Sequence, residues 1–95
     1  MTVEWSDAAS IQFAALVARL ESLSTGAGIG LVDRVTRRLR QIADFPDSGR
    51  MVPEFGFPSF RELVEGDYRV VYERFPDRIE VVAVVHGSRS FSEDI

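Results

Sequence analysis

Apolar and polar positions follow one period in the C-terminal half of the chain and another in the N-terminal half. Tyr68, Val70 and Tyr72 alternate with Arg69, Val71 and Glu73, while Ile79, Val81, Ala83 and Val85 alternate with Glu80, Val82, Val84 and His86. That is the two-residue period of a pleated strand. Both runs are rich in β-branched and aromatic residues and are split by Pro76-Asp77, which predicts an antiparallel hairpin. A shorter run, Phe60 to Val64, precedes Glu65-Gly66-Asp67, where glycine can take the positive φ of a tight turn. The pattern predicts a three-strand meander.

Upstream the period lengthens. Thr2 to Trp5, with Val3 and Trp5 flanking Glu4, reads as a first or edge strand. Ser6 or Asp7 then offers a side-chain oxygen to the free amides of a helix start. The first helix is predicted from about Asp7 to Leu23, with Phe13, Leu16, Val17, Leu20 and Leu23 on its buried face, and Ser24-Thr25-Gly26-Ala27-Gly28 as its stop. The second is predicted from near Ile29 to Asp44, burying Val32, Val35, Leu39 and Ile42 and turning Arg34, Arg37, Arg38 and Gln41 outward. Phe45-Pro46 ends it. The expected fold is α+β: an N-terminal strand and an antiparallel two-helix hairpin packed on a small antiparallel β-sheet.

Composition narrows the function classes. At 95 residues the chain is predicted to be one domain with one core, residues 1–95. No cysteine and a single histidine argue against disulfides and zinc, and no cofactor is expected. No apolar run approaches the roughly 20 residues that span a bilayer, and MTVEWSDAAS lacks the features of a signal peptide, so the expected location is cytoplasmic. The net charge is −4, which gives no overall attraction to nucleic acid. All 11 basic residues are arginine, a side chain that stays charged when desolvated and makes bidentate contacts to carboxylate or phosphate.

The chemistry concentrates between Gly49 and Phe91. Residues 45–59 hold Pro46, Pro53 and Pro58, an extended connection of the functional or mobile kind. Within it the stiff Pro53 fixes the direction of the Glu54 carboxylate. Arg61, Arg69, Arg89 and His86 are distributed over and after the meander. An arginine in a sheet among Glu62, Glu65 and Glu73 joins an ion-pair network more often than it does chemistry. His86 likewise reads as a hydrogen-bonded strand-end residue or as an acid-base group. The arginine face of the second helix reads as a solvated outer face or as a docking surface.

The ordered set of these features resembles the RelE/ParE superfamily of toxins from bacterial type II toxin-antitoxin systems. Carrying the resemblance are Val3-Glu4-Trp5-Ser6 before an alanine-rich helix, Pro46 with Gly49-Arg50, Pro53-Glu54, Arg61-Glu62-Leu63, Gly66 with Tyr68-Arg69-Val70-Val71-Tyr72, and His86-Gly87-Ser88-Arg89. The resemblance covers nearly the whole chain and implies two alternatives. In a RelE-like, ribosome-dependent mRNA endoribonuclease, Arg69 and Arg89 would hold the phosphate, Arg61 would occupy a basic strand position, Glu54 would be the general base and His86 an acid-base group. In a ParE-like toxin, which poisons DNA gyrase through protein contacts, the same residues would be structural or partner-binding. The acidic balance, the lack of lysine and the lack of a tyrosine after Arg89 favour the second. A decayed, non-toxic member that only pairs with its antitoxin is a third possibility. Every branch implies an antitoxin whose acidic and apolar segment would meet Arg34, Arg37 and Arg38 or the arginines of the meander.

Overall fold

The computed structural model describes residues 1–88; Arg89 lies outside them. The elements run β1 (Thr2–Trp5), α1 (Asp7–Leu23), α2 (Ala27–Asp44), β2 (Arg50–Met51), β3 (Phe60–Glu65), β4 (Tyr68–Arg74) and β5 (Arg78–His86). They form a five-stranded sheet of order β1-β5-β4-β3-β2 with both helices on one face. The meander β3-β4-β5 is antiparallel as its hairpin signals predict. β1 lies parallel to β5 and makes the sheet mixed, because the helix hairpin carries the chain across the sheet before it returns. The two-residue β2 carries no periodicity of its own and pairs with β3 through Arg50↔Glu62 and Met51↔Arg61.

Capping explains where the helices begin. Ser6 starts α1: its Oγ accepts the Ala9 N–H at 3.1 Å, while its own N–H donates to the Val81 carbonyl at 2.9 Å. α2 begins at Ala27, two residues before the expected start, after Gly26 in the left-handed region at φ 88°. No capping side chain comes from its own sequence. The Glu21 carboxylate of α1 instead accepts the N–H groups of Gly26 (2.7 Å), Gly28 (3.0 Å) and Ile29 (3.3 Å). These bonds, that to Gly26 foremost, hold its pKa below the ordinary carboxylate value.

The main core lies between helices and sheet. Leu31, Val35, Leu39 and Ile42 of α2 pack with Leu63, Val70, Tyr72, Ile79, Val81 and Val84, and α1 adds Ala9 with the half-buried Phe13, Leu16 and Leu20. Burial of each large aliphatic side chain contributes about 1.5–3 kcal/mol. Two expected core positions are corrected. Val32 is exposed and Leu31 is buried in its place, because Gly28 seats against the Val17 carbonyl of α1 and sets the rotation of α2. Leu23 is exposed as well, lying past the last turn of α1 that reaches the sheet.

A second, smaller core covers the other face of the sheet, where Val52 and Val71 pack with Phe55, Phe60, Val82, Ala83 and Val85. The proline-rich connection supplies Val52 and Phe55, so it is docked on the sheet. Strict alternation along β5 also needs correction. Val71 pairs with Ala83 but Tyr72 pairs with Val81, which leaves Val82 as an inserted residue. Beyond this bulge Val84 and His86, not Ala83 and Val85, point to the helix side. The Gln12 side chain of α1 takes over along β5 past the end of β1, its Oε1 accepting the Val84 N–H at 2.9 Å.

Candidate functional site

The residues singled out in the sequence fall into separate places, and the parity of β4 decides which can meet. Tyr68, Val70 and Tyr72 face the helices, so Arg69 and Val71 face the opposite side. Glu62 on β3 lies across from Val71 and shares that side. Arg69 is 5% exposed and Glu62 is 1% exposed, so each needs a charged partner in place of water.

They supply one another. The Arg69 Nε–H donates to Glu62 Oε1 at 2.8 Å, and its Nη2 lies 2.5 Å from the same oxygen. Its two terminal nitrogens donate to Glu54, Nη1 to Oε2 at 2.6 Å and Nη2 to Oε1 at 2.9 Å, a bidentate fork. The second oxygen of Glu62 accepts from Arg50 Nε at 2.5 Å. The result is a chain Arg50–Glu62–Arg69–Glu54 of two cations and two anions. The Glu54 hydrogen bonds, above all, drive the Arg69 pKa further above its already high ordinary value. The Pro53-Glu54 geometry therefore aims the carboxylate at a guanidinium of the sheet and ties the loop down.

Arg61 has a different task. It faces the helix side, where its Nε donates to the Pro58 carbonyl (3.0 Å) and its Nη1 to the carbonyls of Asp47 (3.1 Å) and Gly49 (2.9 Å). Beside it the buried Tyr72 hydroxyl accepts the Gly49 N–H at 3.1 Å and donates to the Pro46 carbonyl at 2.9 Å. Burial pushes the Tyr72 pKa up. A Cβ at position 49 would overlap this hydroxyl, so the close approach requires glycine there. Arg61 and Tyr72 thus hold both ends of the 46–58 connection, which follows an anchored path.

His86 stands apart from the Arg69 cluster. It pairs with Tyr68 in the β4–β5 ladder and shares its helix-side face, its ring edge-on to the Tyr68 ring with centroids 5.7 Å apart. The Ser88 N–H donates to His86 Nδ1 at 3.2 Å, so in the neutral ring the proton sits on Nε2. The structure therefore brings Glu54 and Arg69 together, adds Glu62 and Arg50 to them, and places His86 on the other face and Arg61 in the loop anchor. Arg89 lies outside the described residues.

The arginines of α2 are outward as expected, yet two reach back to the sheet. Arg34 Nε pairs with Glu65 Oε1 at 2.9 Å, and Arg38 Nη1 pairs with Glu65 Oε2 at 3.2 Å and donates to the Val64 carbonyl. Arg37 pairs with Asp33 one turn earlier at 2.6 Å. A groove of about 370 Å³ runs between α2 and the open edge of β3, lined by Arg38, Gln41, Ile42, Arg50, Leu63 and Val64. Beyond its two pairings with β2 and the Val52 N–H bond to the Phe60 carbonyl at 3.2 Å, β3 has no strand neighbour on this side among the described residues. Among the described residues, no group of three or more histidine or acidic side chains is placed to hold a metal ion, and no helix is long and apolar enough to cross a membrane.

Sequence reasoning placed Glu62 only within a general ion-pair network and missed Glu21, Gln12 and Tyr72 as polar anchors. The signal for Glu62 was present: it falls between Phe60 and Val64 on one strand face, an acidic residue in an apolar row.

The fold is shared with solved structures at low sequence identity. A chain titled as a chromosomal ParDE toxin-antitoxin system from P. aeruginosa superposes with a TM-score of 0.69 at 13% identity, over 90% of this chain and 95% of that one. A conserved hypothetical protein from Helicobacter pylori, solved in solution, gives 0.59 at 16% identity, over 94% and 97%. Among curated protein sequences none matches significantly. The family described as the ParE toxin of the type II toxin-antitoxin system, parDE, matches residues 3–91, and on that match across both helices and the whole sheet the chain belongs to the ParE toxin family.

Proposed function

We propose that this ParE-family chain is a cytoplasmic toxin that its cognate antitoxin holds inactive and that arrests growth by binding DNA gyrase, not by cutting mRNA. The observation that carries this reading is the separation of the nuclease candidates. Arg69, the residue that would hold a scissile phosphate, is buried between Glu54 and Glu62, and a phosphate would have to displace two carboxylates that already satisfy it. His86 lies on the opposite face of the sheet, so an acid-base pair formed by it and Glu54 would not converge on one reacting atom. Arg61 donates to three loop carbonyls. What remains is a charge-paired scaffold with open surfaces, suited to protein contacts.

The ribonuclease reading draws on one observation, the direct contact of Glu54 with Arg69, which puts a base beside a phosphate-binding cation. Inducing the chain without its antitoxin in a bacterial host separates the readings. Gyrase binding predicts changed plasmid supercoiling and DNA-damage signalling with intact messages. Codon-phased mRNA 5′ ends would overturn it in favour of the nuclease, and unaffected growth would leave only the role of antitoxin partner.

A further inference from the structure

Between α1 and the β4–β5 end of the sheet, on the face away from the Arg69 cluster, an open cleft of about 380 Å³ is lined by Gln12, Leu16, Arg19, Tyr68, Val84 and His86. Each of its polar side chains can donate a hydrogen bond. The Gln12 oxygen is committed to the Val84 N–H, which leaves the amide NH₂ as that side chain's free end. The Ser88 N–H fixes the neutral His86 ring with its proton on Nε2. The Tyr68 hydroxyl and the Arg19 guanidinium have no hydrogen-bond or ion-pair partner among the described residues. Arg19 differs in this from most of its kind: Arg34, Arg37, Arg38, Arg50, Arg61, Arg69, Arg74 and Arg78 all face a carboxylate within 4.0 Å.

We propose that this cleft is a carboxylate site that takes an aspartate or glutamate side chain of the bound antitoxin. The single formal cation matches a singly charged carboxylate better than a phosphate dianion, which would call for more positive charge. The floor formed by Leu16 and Val84 suits the methylenes of an acidic side chain. Along α1 the adjoining Ile11, Ala15 and Ala18 are exposed and apolar, so a segment lying on the helix would bury apolar residues on either side of the anchored acid. This goes beyond the helix-two arginines as the docking charge, since Arg34, Arg37 and Arg38 already have carboxylates and Arg19 does not. It rests on the antitoxin being this chain's partner.

The test uses the purified toxin and the antitoxin encoded alongside it. Dissociation constants are measured at two salt concentrations for wild type, Arg19→Gln and Tyr68→Phe, with Arg40→Gln as a control at another exposed position. Loss of one charge-assisted contact should weaken binding on the order of tenfold for Arg19→Gln and flatten its salt dependence, with Tyr68→Phe weaker by a few fold. Arg40→Gln should bind like wild type. The Arg19 Nε–H signal should shift when the complex forms, a readout that a folding defect would not imitate. If wild type forms no complex, the partner reading fails and the site fails with it. If the complex forms and Arg19→Gln binds as tightly as wild type, the site alone is overturned. An Arg19 signal that responds to inorganic phosphate but not to the antitoxin would also overturn it, in favour of a phosphate site.

Discussion

Replacing Arg69 by methionine removes one charge while keeping most of the side-chain length, and it tests whether the buried cluster is scaffold. Glu62 has no exposed side-chain surface and Glu54 is 15% exposed. With Arg69 gone, Glu62 retains only Arg50, whose own side chain is 61% exposed. Removing one member of a buried pair costs about 3–5 kcal/mol, because the charge left behind is out of water without a partner. For a domain of this size, whose whole stability is about 5–15 kcal/mol, that amounts to a fall in Tm on the order of 12–40 °C. The double variant Glu62→Met with Arg69→Met removes the buried anion too and leaves Glu54 and Arg50 near solvent. It should therefore be less destabilised than Arg69→Met alone, a coupling of about 2 kcal/mol or more. Trp5, the only tryptophan, packs on Phe13 with ring centroids 5.1 Å apart and reports unfolding in urea. An Arg69→Met chain within 1 kcal/mol of wild type, or a double variant as unstable as the two singles combined, refutes the reasoning. An Arg69 variant that stays folded and binds its antitoxin yet loses toxicity would return this residue to chemistry.

Three further outcomes follow from anchors described above. Tyr72→Phe leaves the buried Gly49 N–H without its acceptor and should cost about 1–3 kcal/mol in urea unfolding, with faster proteolysis within residues 46–58. Gly28→Ala drives a methyl group into the Val17 carbonyl and should cost about 1–3 kcal/mol by thermal melting, although the same change on an open helix face would stabilise. Glu21 has a folded pKa below its unfolded value of 4.5, so its stabilising contribution is fully present above pH 4.5 and is lost as the pH falls through the folded value. Glu21→Gln should therefore lower Tm at pH 7 and lower it progressively less as the pH falls below 4.5, and a loss that does not change with pH would exclude the carboxylate as the cap of α2.

The sequence was most readable where one physical rule acted alone. The meander followed from alternation and turn residues, and the helix hairpin from its spacing and its stop. The misreadings arose where a contact from another element decided the outcome. Val32 and Leu31 suit a helical stripe equally, and only the close seat of Gly28 on α1 selects Leu31. Residues 81 to 85 are all apolar, so nothing in the pattern marks the inserted Val82 that reverses which of the later residues face the helices. That reversal decides the candidate site, because it sets His86 beside Tyr68 and not beside Arg69. The Arg69 cluster was half legible: glutamates were near in sequence, but the bidentate capture by Glu54 depends on the path of a proline-rich loop that no local pattern specifies.

The parallel contact of β1 with β5 bears on the order of synthesis. Thr2 to Trp5 pair with Arg78 to Val81, so on the ribosome β1 gains its neighbour only after the helix hairpin and the strands β2 to β4 have been made. Until β3, β4 and β5 follow, the apolar faces of α1 and α2 have no complete sheet to cover them. Contacts this distant along the chain form late. An antitoxin able to grip the bare helix hairpin would therefore meet it before the sheet has closed.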